Sequence, residues 1–356
     1  MATRSSSSLT SRTFFKQLVV EASERRFLAG AARVKGQNGF FCYRTVLFGV
    51  VSGPLVWGRL AALIMRMTAA LTSRRSSTFQ CYVDDPLFSF LGSKEKRDGS
   101  AAMILLLWEA LGLKLSWKKG AKGDQVEWIG AELKFARDEH GKITAVVVTI
   151  TEDKAKKMQA TITAILREGV LIRRASLRAF AGLCSWVSSV TPVLRPFCQM
   201  LWAATTAPPA GRESRELVSR ARVKRPLEWI QEFTSRSLVS LPRSFPVCRS
   251  VAGPVLGFDA STTGGGAWLA LSGGEPSEYL ATAWTKEDEK LLGATCGDPA
   301  SQAVWETYAL LLAIDAWSSE LSRHGGTLEL RGDAQGVLQA VLRRRAKSPV
   351  INLLVA

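Results

Sequence analysis

Histidine and cysteine are scarce in this sequence, and neither is arranged as a metal site. Among 356 residues only His140 and His324 are histidines, so catalysis by an imidazole has little material. The six cysteines are scattered and include no Cys-x-x-Cys pair, which argues against a zinc knuckle and against a disulfide framework. This cysteine usage favours a reducing compartment, either cytoplasm or nucleus.

Long hydrophobic runs are also missing. The apolar stretch 55–71 is interrupted by Arg59 and Arg66, so no transmembrane segment and no membrane partner is predicted. The first 16 residues are rich in Ser and Arg and contain no acid. They loosely match a mitochondrial transit peptide, but a disordered tail, or an artefact of where the reading frame was opened, is the preferred interpretation.

Acidic residues are fewer than basic ones. The chain has 47 Lys and Arg against 31 Asp and Glu, a net charge of +16. Such a field favours a polyanionic partner, most simply nucleic acid, although a merely soluble basic protein is an alternative. The candidate phosphate contacts are basic side chains in short clusters: Lys118, Lys119, Arg173, Arg174 and the run 343–345.

Two adjacent acids follow a run of strand-forming residues at 79–83. Asp84 and Asp85 precede Pro86, which cannot continue a central strand, so the segment is predicted to be a hairpin tip. Side chains alternate along a strand, so the two carboxylates start on opposite faces. A tight turn can still bring both near one hard cation. The simpler interpretation is a solvated Asp-Asp-Pro turn.

Three further acids stand at the ends of predicted elements in the last third of the chain. Asp259 ends an apolar strand, Glu306 lies on a long helix predicted over 301–321 with an apolar stripe of Trp305, Ala309, Leu312 and Ala316, and Asp333 follows a strand. Simpler roles are a solvent-facing Glu306 and an N-cap Asp333. We expect the three acids to converge where the strands end, to repel one another, and to raise at least one carboxyl pKa.

In this order, the motifs resemble the reverse transcriptase–RNase H region of a retroelement, of the long-terminal-repeat-like or tyrosine-recombinase type and truncated at both ends. Tyr82 to Asp85 resembles the polymerase metal-binding box. Asp259, Glu306 and Asp333 resemble the RNase H carboxylates. The residues that the resemblance assigns to nucleotide, template and primer contacts are Phe48, Gly49, Gly53, Pro54, Tyr82, Lys118, Lys119, Trp128 and Gly130.

The resemblance implies an α+β multidomain fold. A disordered or artefactual tail at 1–14 would precede a partial, ferredoxin-like polymerase palm at 15–150. A helical thumb and connection would occupy 151–250, and an incomplete RNase H-like α/β domain would occupy 251–356.

The implied function is RNA-directed DNA polymerisation with hydrolysis of RNA in RNA–DNA hybrids, and the implied cofactor is Mg²⁺ or Mn²⁺. All five acids, Asp84 and Asp85 together with the C-terminal three, would ligate the metal and act in catalysis. RNA, DNA and their hybrid are the expected partners, with dNTPs if a full palm exists.

The resemblance also implies that both activities are impaired. Thr10 stands about where the first palm strand should carry an Asp, so that strand is expected to be missing, and the fourth RNase H Asp would lie beyond Ala356. Two alternatives stay open: a non-catalytic nucleic-acid-binding remnant, and a translated pseudogene fragment that does not fold stably. The sequence leaves the oligomeric state open.

Overall fold

The chain forms two compact units. The computed structural model describes residues 3–8, 18–34, 36–46, 50–73, 76–167, 169–211, 213–235, 242–247, 253–271, 275–324 and 327–356, with the backbone alone at 3–8, 34 and 119. The first unit comprises Met1–Val148 and Ser244–Val247, and the second comprises Thr149–Arg243 and Cys248–Ala356. Among the described helices, none combines the length and the apolar character needed to cross a bilayer.

The first unit mixes strands with two long helices. Its strands are β1 (Thr3–Ser8), β2 (Ala29–Val34), β3 (Gln37–Cys42), β4 (Ser77–Tyr82), β5 (Asp85–Gly92), β6 (Ala121–Gly123), β7 (Gln125–Trp128), β8 (Ala131–Arg137), β9 (Ile143–Ile150) and β12 (Arg243–Pro246). Its α-helices are α1 (Gly53–Ala70) and α2 (Lys94–Ala110), and 3₁₀ helices cover Ala22–Leu28 and Trp117–Lys119.

Strands β4, β5, β1 and β6 form one antiparallel sheet in that order, and α1 and α2 pack against it. Phe88 and Phe90 of β5 lie two residues apart, so both face the same side, where they meet Trp57 of α1 and Trp108 of α2 in one buried cluster. The Trp108 indole donates to Thr68 Oγ1 at 2.8 Å. This polar contact ties the two helices together inside the core.

Strand β1 lies within residues 1–14, the segment expected to be a disordered or artefactual tail. Thr3–Ser8 pairs with β5 along its length and with β6 at Ser6–Ser8, while residues 1–2 and 9–14 lie outside the described residues. A run of serines has no hydrophobic alternation and therefore gives no strand signal. Backbone groups of β5 and β6 need partners whatever the side chains are, and β1 supplies them. The strand β1 beside β5 contains no acidic residue.

The remaining strands of this unit form a four-stranded sheet, in the order β12-β9-β8-β7, and a β2–β3 hairpin. β7 and β8 are joined by Ile129 and Gly130, with φ of +47° and +84°. Two successive positive φ values are typical of the type I′ turn, whose twist matches the right-handed twist of the two strands that it joins.

The second unit begins with four packed helices and ends with a sheet covered by further helices. Its helices are α3 (Glu152–Arg167), α4 (Arg174–Val190), α5 (Arg195–Thr206), α6 (Arg220–Ser235), α7 (Lys286–Leu292), α8 (Gln302–Ala316), α9 (Ser318–His324), α10 (Gln335–Arg343) and α11 (Pro349–Leu354). Its strands are β10 (Leu171–Arg173), β11 (Leu217–Ser219), β13 (Val255–Ala260), β14 (Gly264–Ala270), β15 (Glu278–Ala283) and β16 (Glu329–Arg331), with 3₁₀ helices at Pro192–Leu194 and Pro299–Ser301.

Helices α3 to α6 enclose an apolar core. Met158, Ile162 and Ile165 of α3 are buried on one face of the helix. They pack with α4 and α6, and α5 packs between α4 and α6. The side chains of Phe180 on α4 and Phe197 on α5 are among the largest that are fully buried.

Arg174 is part of this core and is not a surface contact for nucleic acid. Its guanidinium donates to the carbonyl oxygens of Ala204, Thr205, Ala207 and Ser214, at 2.7 to 3.3 Å. A charged side chain stays in such a place only when hydrogen bonds replace its hydration. The sequence could not distinguish this arginine from its exposed neighbour Arg173.

The C-terminal sheet has the order β15-β14-β13-β16. β13 and β14 are antiparallel, and β16 runs parallel to β13, with Leu256 opposite Leu330. Helix α8 packs on β13 and β14.

The long helix predicted over 301–321 is two helices. α8 ends at Ala316 because Trp317 leaves the helical conformation, with φ −108° and ψ +21°, and buries its ring in the core. The buried positions of α8 include Trp305, Ala309 and Ala313, whereas Ala316 of the predicted stripe is exposed.

We expect Arg174→Met to lower the free energy of unfolding by about 3 kcal/mol, because four carbonyl oxygens lose a charged donor. Urea unfolding of the full chain measures the change. The control is Arg178→Met on the same helix, where the exposed side chain should cost less than about 0.5 kcal/mol. Equal losses in the two variants would contradict a structural role for Arg174.

Candidate metal centre

Three carboxylates from three separate elements meet at one place in the second unit. Oxygen atoms of Asp259, Glu306 and Asp333 all lie within 4.8 Å of one another. A search of the described residues for three or more potential metal ligands in one place finds this group. Asp259 lies in β13, Glu306 lies on α8, and Asp333 follows β16. The convergence predicted from the sequence is therefore present.

Two glycines permit this convergence. A Cβ atom on Gly265 of β14 would lie 2.6 Å from the Trp284 ring and 3.1 Å from Ala309 on α8, so glycine lets the helix lie close to the sheet. A Cβ atom on Gly332 would lie 2.9 Å from the ring of Phe258. Since Phe258 precedes Asp259 and Gly332 precedes Asp333, this close approach brings the two aspartates together.

A pair of stacked indoles holds the helix over the strand end. The rings of Trp284 and Trp305 are 4.9 Å apart and inclined by 12°. Trp305 precedes Glu306, and the Trp284 indole donates to the carbonyl oxygen of Ser261, just after β13. Aromatic stacking thus links the segment carrying Glu306 to the segment carrying Asp259.

Glu306 is the unusual member of the group because only 4% of it is exposed. Its Oε1 accepts a hydrogen bond from Gln302 Nε2 at 3.1 Å, while its buried Oε2 has no partner among the described residues. Burial raises the pKa of Glu306, and the negative charges of Asp259 and Asp333 raise it further. The Gln302 hydrogen bond opposes that shift.

The donor set fits a hard divalent cation. All three groups offer carboxylate oxygen, the ligand that Mg²⁺ and Mn²⁺ prefer, and the partnerless Oε2 lacks a positively charged or hydrogen-bonding neighbour. Asp259 and Asp333 line an open cleft of about 730 Å³. The arrangement can hold a cation at the base of a surface wide enough for a large substrate.

No model of a protein family matches the chain, and no curated protein matches it. Among solved structures, a foamy viral protease-reverse transcriptase in complex with double-stranded DNA aligns with 99% of this chain at 15% identity and a TM-score of 0.49. A second, the foamy viral protease-reverse transcriptase with an RNA/DNA hybrid, aligns with 99% at 14% identity and a TM-score of 0.47.

This chain spans 54% and 42% of those two foamy viral chains. At such identities and TM-scores, function has to be argued from the chemistry of the site.

The acids of the first unit lie on the predicted hairpin. β4 and β5 pair so that Tyr82 opposes Asp85, with Val83 and Asp84 at the tip. Asp84 and Asp85 are half-buried, and no third His, Cys, Asp or Glu joins them to form a ligand group within the described residues. The hairpin therefore presents two carboxylates, and Thr10 lies outside the described residues.

Two indoles anchor the hairpin tip. Trp57 on α1 donates to the carbonyl oxygen of Val83 at 2.6 Å, and Trp128 at the end of β7 donates to that of Asp85 at 2.9 Å. Val83 has a φ of +55°, a strained value for a β-branched residue. The hydrogen bond from Trp57 helps to hold that conformation.

The other residues implied by the resemblance are spread over the first unit. Gly53 and Pro54 form the first turn of α1, Tyr82 and Lys118 are exposed, and Gly130 is in the β7–β8 turn. Phe48 and Gly49 lie outside the described residues, as does the side chain of Lys119.

Sequence reasoning missed three supporting residues. Gln302 was detectable, because it lies one helical turn before Glu306 and such pairs face each other. Trp57 and Trp284 gave no signal, since each contacts a segment more than 20 positions away.

The raised pKa of Glu306 predicts a pH-dependent loss of stability when no cation is present. An unfolded glutamate releases its proton near pH 4.5, while the folded Glu306 keeps it to a higher pH. The folded state therefore holds the extra proton in that window, and stability falls as pH rises through it. In EDTA at pH 7, we expect Glu306→Gln to be more stable than the natural chain.

Unfolding midpoints measured in EDTA between about pH 4.5 and 7 test this difference. Glu275→Gln is the control, because Glu275 is exposed on the same unit and should behave like the natural chain. If the unfolding midpoints of the natural chain and of Glu306→Gln change in parallel over the whole pH range, Glu306 does not destabilise the folded state.

Proposed function

We propose that this chain derives from a retroelement reverse transcriptase–RNase H, of the long-terminal-repeat-like or tyrosine-recombinase type. Its remaining chemistry would be hydrolysis of RNA in RNA–DNA hybrids at Asp259, Glu306 and Asp333. The observation that carries the proposal is the meeting of three carboxylates within 4.8 Å, one of them buried with a partnerless oxygen. Holding the buried Glu306 beside two exposed aspartates is unfavourable, and a metal site explains why the fold keeps the three acids together.

Mg²⁺ or Mn²⁺ is the proposed cofactor, held by Asp259, Glu306 and Asp333. When bound, such a cation supplies Lewis-acid stabilisation of the negative charge that develops on a phosphodiester during hydrolysis.

The protein's own groups orient the ligands. Gln302 donates both to Glu306 and to the carbonyl oxygen of Ala260, so it fixes the glutamate relative to β13. The Ala260 N–H donates to Asp259 Oδ1 at 2.9 Å. One oxygen of each of these two carboxylates is thus positioned by the fold. The open cleft beside them would admit the backbone of a duplex, and the net charge of +16 would favour its approach.

We assign residues 15–150 to a partial palm, 151–250 to the thumb and connection, and 251–356 to the RNase H-like part. In this assignment Asp84 and Asp85 belong to the polymerase site, and Tyr82, Lys118 and Trp128 lie near template, primer or nucleotide. dNTPs are proposed partners only of a complete palm. The second candidate function is a nucleic-acid-binding remnant without catalysis. It is favoured by the hairpin acids, which no third potential ligand joins within the described part of the chain.

Slow cleavage of RNA in a hybrid, dependent on Mg²⁺ or Mn²⁺, is the expected result for the purified chain. Asp259→Asn, Glu306→Gln and Asp333→Asn should each abolish it and weaken Mn²⁺ binding measured by calorimetry, because each removes one anionic ligand. Asp298→Asn is the matched control, since that aspartate caps a 3₁₀ helix of the same unit.

Cation binding without cleavage would favour the remnant. Mn²⁺ binding that survives all three substitutions would overturn the site itself.

DNA synthesis should be absent. Two carboxylates leave a catalytic cation under-coordinated and the developing charge unneutralised. Primer extension on an RNA template with Mg²⁺ or Mn²⁺ measures this activity. Extension by the chain that Asp84→Ala abolishes would contradict the expectation.

A further inference from the structure

A second pocket in the second unit is lined by arginines. It has a volume of about 490 Å³ and lies between the end of α4, the start of α5 and the end of α10. Arg195 begins α5, Arg343 ends α10, and Arg345 follows two residues later. No acidic side chain is among the residues that line this arginine pocket.

The positive charges in the arginine pocket are close enough to affect one another. Arg195 is half-buried, and burial lowers the pKa of its guanidinium. The neighbouring charges of Arg243, Arg345 and Arg344 lower it further. An anion between these groups would relieve the repulsion.

Hydrogen bonds within the protein offset only part of the positive charge around the arginine pocket. Arg195 Nε donates to the carbonyl oxygen of Ser188 at 3.1 Å, and Arg243 Nη1 donates to that of Ser189 at 3.2 Å. These carbonyls belong to the last turn of α4, where the helix carries partial negative charge.

The side chains of Arg343 and Arg345 receive no comparable contact from the described residues. Among the described ion pairs, none involves Arg195, Arg343 or Arg345. Two exposed guanidinium groups therefore face the cavity beside a third that is already held in place.

We propose that the arginine pocket binds a phosphate group of the nucleic-acid backbone, through Arg195, Arg343 and Arg345. The planar guanidinium forms two parallel hydrogen bonds to phosphate, and several such forks around one cavity match a tetrahedral anion.

The position of the pocket favours a backbone phosphate over a small free anion. α10 starts two residues after Asp333, and its nine residues span about 14 Å up to Arg343, which lines the pocket. Phosphates of one strand advance by about 3.4 Å per nucleotide along a duplex axis, so a duplex running along α10 would present to the pocket a phosphate about four steps from the carboxylates. This part of the inference rests on the proposed function.

The test is binding of a short RNA–DNA hybrid to the full chain in EDTA, across about 50 to 200 mM salt. The pocket variant is Arg343→Gln with Arg345→Gln, at two exposed positions where the fold should tolerate the change. The matched control is Arg167→Gln with Arg225→Gln, which removes the same charge from exposed helix positions of the same unit. Because EDTA removes divalent cations, the result does not depend on the metal centre.

We expect the pocket variant to bind the hybrid about tenfold more weakly and to lower the salt slope by about 1 to 2, whereas the control changes affinity less than about twofold. A neutral methylphosphonate can replace the phosphate at each backbone position of the hybrid in turn. We expect one of these replacements to weaken hybrid binding by the natural chain. The pocket variant should be insensitive there.

Equal losses in the two variants would show a general charge effect and overturn the pocket. Unchanged hybrid affinity in the pocket variant would also overturn it. Pyrophosphate titrated into both variants under the same conditions tests for a small free anion. If the pocket variant loses only pyrophosphate binding, the pocket belongs to a small free anion and the backbone assignment is overturned. If the natural chain shows this binding pattern but does not cleave RNA in a hybrid, the result counts against the proposed function alone.

Discussion

Burial of the Glu306 carboxylate beside two other carboxylates is the constraint on which the second unit depends. A buried acid with a partnerless oxygen is unfavourable unless a cation or a proton compensates it. The surrounding structure nevertheless holds it in place: Gly265 lets α8 approach the sheet, and the stacked Trp284 and Trp305 rings fix the helix over the strand end. Rigid packing of this kind is how proteins keep like charges close together.

The arginines of the second unit show that charge alone does not define a binding surface. Arg174 and Arg173 are neighbours in sequence, yet Arg174 fastens the start of α4 to four carbonyl oxygens. Arg195 and Arg243 combine two roles, since each donates to the last turn of α4 and also contributes charge to a pocket. The positive field therefore has a structural part and a part that faces outward.

The hairpin of the first unit follows the same principle as the group of three C-terminal carboxylates, with tryptophans holding acids in place. Trp57 and Trp128 come from different elements and hydrogen-bond to successive parts of one tip. They hold Val83 in a conformation that a β-branched residue does not favour. Both acidic sites of this protein are thus built on indole contacts that span long separations in sequence.

The sequence by itself determined the hairpin at Tyr82 to Asp85 and the convergence of the three C-terminal acids. These follow from local alternation of side chains and from the rule that ligand groups gather at strand ends. Tertiary structure alone decided that Ser-rich β1 is a strand, that Arg174 is buried, and that the helix carrying Glu306 ends at Ala316. Each of these depends on partners that are distant in the chain. β1 pairs with the backbone of β5 and β6, Arg174 donates to carbonyl oxygens in the last turn of α5 and beyond it, and the Trp317 ring packs in the core. No local pattern could therefore reveal these features.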